Sequence, residues 1–178
     1  LITVGRITPI KNIHALIEAL ATLKKNIKFS LKVIGAPVYP ADSEYLDKLK
    51  IMTRKYTLEA DVEFVGSISN LEVPSYFFNS DMVLNLSPTG GIDKVVLEAM
   101  AAGAIPVVSN KAFLAVFGDY SRSLIFEEGN VSDLVAKIEK ITELGNLDEM
   151  RKFLIGRVKL SFDTKIVVDK IMQKLCAQ

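Results

Sequence analysis

Six short runs of nearly unbroken apolar residues punctuate this chain: LITVG (1–5), FSLKVIG (29–35), VEFVG (62–66), DMVLNL (81–86), IPVVS (105–109) and SLIFEE (123–128). Strands read this way when both faces of their sheet are covered, and such sheets are parallel. The segments between the runs carry helical spacing. Ile13, Leu16, Ile17, Leu20 and Leu23 form one stripe behind Asn12, which reads as an N-cap. Tyr45, Leu46, Leu49, Met52 and Tyr56 form a second, and Val131, Leu134, Val135, Ile138 and Ile141 a later one capped by Asn130. Pro74 fits a short helix within 70–80 only in its first turn. A further helix spans Val95 to Ala102, and two more are expected at 147–159 and 163–176. The pattern predicts an α/β fold: a doubly wound, mostly parallel six-stranded sheet with helices on both faces and right-handed crossovers.

A chain of 178 residues is expected to form one unit, 1–178. At this size folding removes roughly 70% of the unfolded surface from water, so the core needs no staples. Cys176 is the single cysteine, which excludes an internal disulfide framework, and with one histidine a metal site would have to rest on carboxylates. A net charge of +1 excludes broad electrostatic capture of nucleic acid. No run reaches the ~20 apolar residues of a membrane span. Yet hydrophobic residues make up 49% of the chain and mean hydropathy is +0.28. That excess calls for a fully covered sheet, a buried partner surface, or both. Leu1 opens directly on a strand, so the chain reads as cut from a longer one.

Sheets of this kind bind ligands beyond the carboxyl ends of their strands. The loops to search therefore begin at Gly5, Gly35, Gly66, Ser87 and Ser109. In GRITPIKN (5–12), Arg6 and Lys11 bracket a proline turn. They either grip an anion, best a diphosphate, or are two solvated surface charges. Neither G-x-G-x-x-G nor a Walker pattern is present, which disfavours a standard dinucleotide or P-loop site. In SPTGGIDK (87–94), Gly90 and Gly91 permit close backbone approach, and the next helix offers free N–H groups to a phosphate. The same loop also reads as a plain turn with Asp93 as N-cap. A carboxylate at Asp93 repels a phosphate unless it points elsewhere, and Lys94 beside it offsets the charge in part. Glu98 stands in the middle of an otherwise apolar helix, where an ionised carboxylate needs a partner. It lies about one and a half turns in, close enough to reach the ribose hydroxyls of a ligand at the mouth. A lysine or a backbone group would satisfy it equally well.

The segments GRITPIKN, VIGAP, VEFVGSIS and above all LEAMAAGAIPVVSN resemble the C-terminal domain of the group 1 family of retaining, nucleotide-sugar-dependent glycosyltransferases with the GT-B fold. The likeness runs from Leu1 to about Phe162. It implies a Rossmann-like half of a two-domain enzyme whose N-terminal acceptor domain is absent here. By that resemblance Arg6 and Lys11, at the loop opened by Gly5, hold the donor diphosphate and neutralise the leaving group. Gly90, Gly91, Ile92 and Asp93 meet the distal phosphate and the sugar. Lys94 and Val95 lie against the nucleoside, Glu98 binds ribose, and Ser67 and Ile68 read the base. Family members carry a second glutamate eight positions before the one matched by Glu98; here that position is Gly90, which bears on sugar recognition and turnover.

The function implied is transfer of a sugar from a UDP-, GDP- or ADP-sugar donor to an acceptor hydroxyl with retention of anomeric configuration, without metal or other cofactor. The acceptor would be a glycan, lipid or small molecule bound through the missing half, and membrane association would also belong to that half. The expected location is the cytoplasm, in some members at the inner membrane face. The isolated chain is expected to bind donor, with about 4–7 kcal/mol of affinity, and to transfer nothing. A non-catalytic nucleotide-binding or interaction module and a GT-B sugar-nucleotide epimerase are the alternatives. His14 is expected to face water, Tyr45 and Tyr56 to pack, and AFLAVF (112–117) to join the core.

Overall fold

The computed structural model describes residues 1–162 of the chain, so the helix expected at 163–176, and Cys176 with it, lies outside the described residues. Five strands form one parallel sheet: β1 (Ile2–Val4), β2 (Leu31–Ile34), β3 (Val62–Gly66), β4 (Met82–Asn85) and β5 (Ile105–Val108). Their order is β3-β2-β1-β4-β5, so the winding reverses between β1 and β4. The helices are α1 (Ile13–Leu23), α2 (Pro40–Lys55), α3 (Val73–Phe78), α4 (Lys94–Ala101), two four-residue turns α5 (Leu114–Phe117) and α6 (Ser121–Leu124), α7 (Val131–Glu143) and α8 (Asp148–Phe162).

The strands bury side chains on both faces. Leu31, Val33, Met82, Leu84, Ile105 and Val107 join the core with the stripes of α1, α2 and α7. Ile2, Ile34 and Val83 point the other way and pack with Phe77 of α3 and Ala99 of α4. The fold is thus a Rossmann-like α/β sandwich with helices on both sides of the sheet. Pro74 sits in the first turn of α3, and Asn130 caps α7 by accepting the Asp133 N–H at 3.0 Å.

Three expectations need correction. The sheet has five strands, not six: within SLIFEE, residues up to Leu124 finish a helical turn closed by the Ile125 N–H donating to Ser121 O at 2.9 Å. Only Ile125 bridges to Val108, in parallel, with the Phe126 N–H donating to Val108 O at 2.9 Å. Asn12 occupies the N-cap position of α1 in a left-handed conformation, φ 50°, and its side chain caps nothing. It donates instead to Leu86 O at 3.1 Å and ties the β1 loop to the end of β4. Asparagine is among the few side-chain-bearing residues that tolerate this backbone region. His14 does not simply face water: it is half-buried, its N–H donates to the Tyr45 hydroxyl oxygen at 3.2 Å, and its Nδ1 lies 2.9 Å from the same oxygen. Tyr45 packs in the core and Tyr56 against it, and the AFLAVF stretch buries Phe113, Val116 and Phe117 while leaving Leu114 exposed.

Candidate functional site

The reversal between β1 and β4 opens a crevice at the carboxyl ends of the strands, and the two loops singled out from the sequence form its lips. β1 runs into Gly5, whose φ of 145° turns the chain. Gly35, at the end of β2, is packed directly beneath it. A Cβ on Gly35 would lie 1.9 Å from the Gly5 carbonyl oxygen, so only glycine allows these two chain ends to approach. The Gly5 N–H donates to Ile34 O at 3.0 Å and the Ile7 N–H to Ala36 O at 3.1 Å, fixing the loop.

On this lip Arg6 is exposed and makes no ion pair among the described residues. Lys11 is half-buried and reaches across to the other lip. Its Nζ donates to Ser87 Oγ at 2.9 Å and lies 3.5 Å from Asp93 Oδ2. Asn85 Nδ2 also donates to Asp93 Oδ2, at 2.9 Å, while Asn85 Oδ1 accepts the Ser87 N–H at 3.1 Å. Asp93 is therefore turned away from its own helix: it holds the N-cap position of α4 but its side chain caps nothing. The N–H groups of Lys94 and Val95, in the first turn, enter none of the described hydrogen bonds. The charge beside Asp93 comes from Lys11 across the crevice. Lys94 is exposed and makes no ion pair among the described residues, which corrects the expected Lys94 offset.

Gly90 and Gly91 are exposed and neither adopts a positive φ; an added Cβ on Gly90 would meet only Pro88 O, at 3.9 Å, and one on Gly91 nothing within 4 Å. Their backbone conformation does not demand glycine, so what they provide is open space. Ile92 is 36% exposed beside them. The turn is anchored from the β5 side by Asn110, through the Gly90 N–H and the Gly91 carbonyl, and by Glu128, whose Oε2 accepts the Thr89 N–H at 3.2 Å.

Glu98 is exposed on α4, whose buried face is Val96, Ala99 and Met100. The expectation of a carboxylate inside a core helix is thus corrected: water reaches it and it needs no protein partner. Val95, half-buried on the same helix, and Ile68, after β3, both pack against the Ile2–Ile34 cluster; Ser67 is exposed at that edge. The cleft that Gly5, Arg6 and Lys11 line with Asn85 and Leu86 does not include Glu98. A cavity of about 420 Å³ lies beside Asn12, Ser109 and Glu128, and one of about 520 Å³ lies at the opposite end of the sheet against Leu1 and Met82.

Reading loops from the sequence marked Ser87 and Ser109 as loop starts but missed Asn85 and Asn110 and the burial of all four polar residues at the strand ends, each under 9% exposed. Their signal is a polar residue closing an apolar strand, where the chain leaves the core at the binding edge. Among the described residues no cluster of three or more His, Cys, Asp or Glu could hold a metal, and no helix is long and apolar enough to cross a membrane.

This arrangement agrees with what the chain is related to. A model of the family described as "Glycosyl transferases group 1" matches residues 1–155. The chain belongs to the group 1 glycosyltransferase family. It is 34% identical over 116 residues to the Escherichia coli (strain K12) protein named "Putative colanic acid biosynthesis glycosyltransferase WcaL", covering 61% of this chain and 27% of that one. Among solved structures, Anabaena Alr3699/HepE in complex with UDP superposes with a TM-score of 0.87 at 19% identity, covering 99% of this chain and 48% of that one. The C-terminal domain of a group 1 family protein (LpcC) from Francisella tularensis gives 0.75 at 21% identity, covering 92% and 86%. The chain thus spans about half of HepE and most of the isolated LpcC domain, and the likeness to both is one of fold.

Proposed function

We propose that the chain is the donor-binding domain of a nucleotide-sugar-dependent glycosyltransferase that transfers with retention of anomeric configuration. The observation that carries this reading is Lys11, held across the β1–β4 crevice beside the Gly90–Asp93 turn and the unpartnered first-turn N–H groups of α4. A diphosphate in the crevice meets a half-buried ammonium, the exposed guanidinium of Arg6 on the same loop, and the positive end of a helix. Those groups oppose the charge that builds on the departing diphosphate, so no metal is required in that role. Asp93 stands close enough to the same ammonium to be displaced from it by phosphate and to turn toward sugar hydroxyls. Glu98, exposed on the outer face of α4, is assigned to ribose, and Ser67 with Ile68 to the base. HepE is in complex with UDP, which puts UDP first among the nucleotides to test.

The acceptor and the second wall of the cleft belong to a partner half, so the chain by itself binds donor and does not turn it over. Titration of the chain with UDP, GDP and ADP tests the reading. Saturable binding of one of them, between roughly ten micromolar and millimolar, is expected. No binding of any at several times that range refutes it, and sustained sugar transfer by the isolated chain refutes the division of labour.

A further inference from the structure

We infer that Asn110 is a positioning residue that aims the backbone of the Gly90–Ile92 turn at the distal phosphate of the donor. The inference rests on the diphosphate reading above and goes beyond it, since it concerns a residue on β5's loop that reaches the ligand only through another loop.

Asn110 is 1% exposed, yet both polar atoms of its side chain are engaged. Oδ1 accepts the Ala112 N–H at 2.9 Å and, at the longer distance of 3.4 Å, the Gly90 N–H. Nδ2 donates to the Gly91 carbonyl oxygen at 2.8 Å. One amide thus grips backbone groups of two consecutive residues in a turn that has no side chains at 90 and 91 to hold it. Glycine pairs have the widest conformational freedom of any dipeptide, so without an external grip this turn would sample many orientations.

The grip also sets a direction. The chain has no cis peptide among its described bonds, and in a planar trans peptide the N–H points opposite to the preceding carbonyl. With the Gly91 carbonyl turned toward Asn110, on the β5 side, the Ile92 N–H is turned the other way. β4 lies between β5 and β1, so that other way is the side of Lys11. The next side chain lies on that side too, since Asp93 meets Lys11 there. None of the described hydrogen bonds uses the Ile92 N–H. Asn110 therefore holds an unengaged backbone donor toward the same space as the Lys11 ammonium. A donor fixed in advance loses little freedom when an anion arrives, which is where affinity is gained.

The test compares UDP with UMP on the full 178-residue chain, wild type and two variants. Only UDP carries the distal phosphate. Asn110→Ser keeps an acceptor for the Ala112 N–H, since serine serves at such cap positions, but its side chain is too short to reach Gly91 O. Asn110→Ala removes all three contacts. Both are expected to reduce the preference for UDP over UMP by roughly tenfold, with UMP affinity nearly unchanged. Asn110→Ser should fold even where Asn110→Ala does not. If the serine variant is folded and its UDP/UMP preference equals that of wild type, the inference fails while the diphosphate reading stands. A variant that merely loosens the fold lowers the melting temperature and weakens both nucleotides alike, which also overturns the inference. If the wild type prefers none of UDP, GDP and ADP over the matching monophosphate, the diphosphate reading falls and this inference with it; where GDP or ADP is the one preferred, the same comparison is made with that pair.

Discussion

Replacing Lys11 by methionine removes the ammonium and keeps most of the stem, which isolates the charge. Its Nζ lies 3.5 Å from Asp93 Oδ2, a pair whose side chains are 25% and 30% exposed. At an effective dielectric of about 20 the gross attraction is about 5 kcal/mol. Desolvation and the ordering of a long side chain remove most of this, leaving about 1 kcal/mol for the fold. The chain should therefore melt only about 2–4 °C lower. A terminal phosphate offers the same ammonium a stronger partner, and hydrogen bonds to charged groups are worth about 1.5–3 kcal/mol. UDP binding should weaken about 10- to 150-fold at 0.15 M salt, with a smaller change at higher salt, where the charge is screened. Uridine, followed by ligand-observed NMR, should change less than about twofold, because it carries no group for Lys11 to meet. Equal losses for UDP and uridine would mean that Lys11 shapes the loop and touches no phosphate. An unchanged UDP affinity would refute the reasoning outright.

Gly35→Ala drives a Cβ to 1.9 Å from the Gly5 oxygen at a φ of 132°, so a loss of about 4 kcal/mol or more is expected, seen as insolubility or a large fall in melting temperature. Near-normal melting would show that the two chain ends part easily. Gly90→Glu places an acidic residue where the resemblance leads one to expect it; its Cβ meets only Pro88 O at 3.9 Å, so stability should stay within about 0.5 kcal/mol in a denaturant titration. A large destabilisation there would show that the turn itself requires glycine. Burial pushes the Tyr45 phenol above its ordinary value of 10.0, against smaller opposing effects of hydrogen bonds from the His14 and Ile13 backbone. The folded state thus favours the protonated phenol. Its contribution is intact below the ordinary value and is lost as pH rises through the folded one, so the denaturant midpoint should decline above about pH 10. Tyr45→Phe should flatten that decline, and an equal decline in the variant would assign it elsewhere.

The sheet was legible because parallel strands covered on both faces write themselves as apolar blocks, and Met82–Asn85 and Ile105–Val108 are buried at every position. SLIFEE carried the same signature and still became a helical turn. Ser121–Leu124 closes on itself locally, and only Ile125 and Phe126 are left to meet Val108. An apolar block records burial, and burial does not distinguish a strand from a buried turn of this length. Lys11 was legible as a cation at the mouth, but its partner was not: sequence proximity pointed to Lys94 for Asp93, whereas the pairing runs across 82 positions to Lys11. Glu98 was misread because one polar residue among apolar ones looks buried on a linear scale. The helix turns Glu98 to solvent on the side opposite its Val96–Met100 contact face.

The polar belt across the strand ends explains why the two lips of the crevice keep their distance. β1 and β4 are joined in register at Ile2 and Val83 only, deep in the sheet, so the backbone ladder does not fix their carboxyl ends. Side chains do that instead. Asn12 reaches Leu86 O, Lys11 reaches Ser87 and Asp93, Asn85 ties Asp93 to the Ser87 backbone, and the Ser109 hydroxyl donates to Ser87 O at 2.8 Å. Each group in this belt has a partner, and satisfied, partly buried polar networks of this kind favour one arrangement over its neighbours. An apolar packing of the same ends would cover the crevice as well as hold it. The belt leaves an ammonium and backbone N–H groups facing open space, at the one place where a doubly wound sheet changes direction.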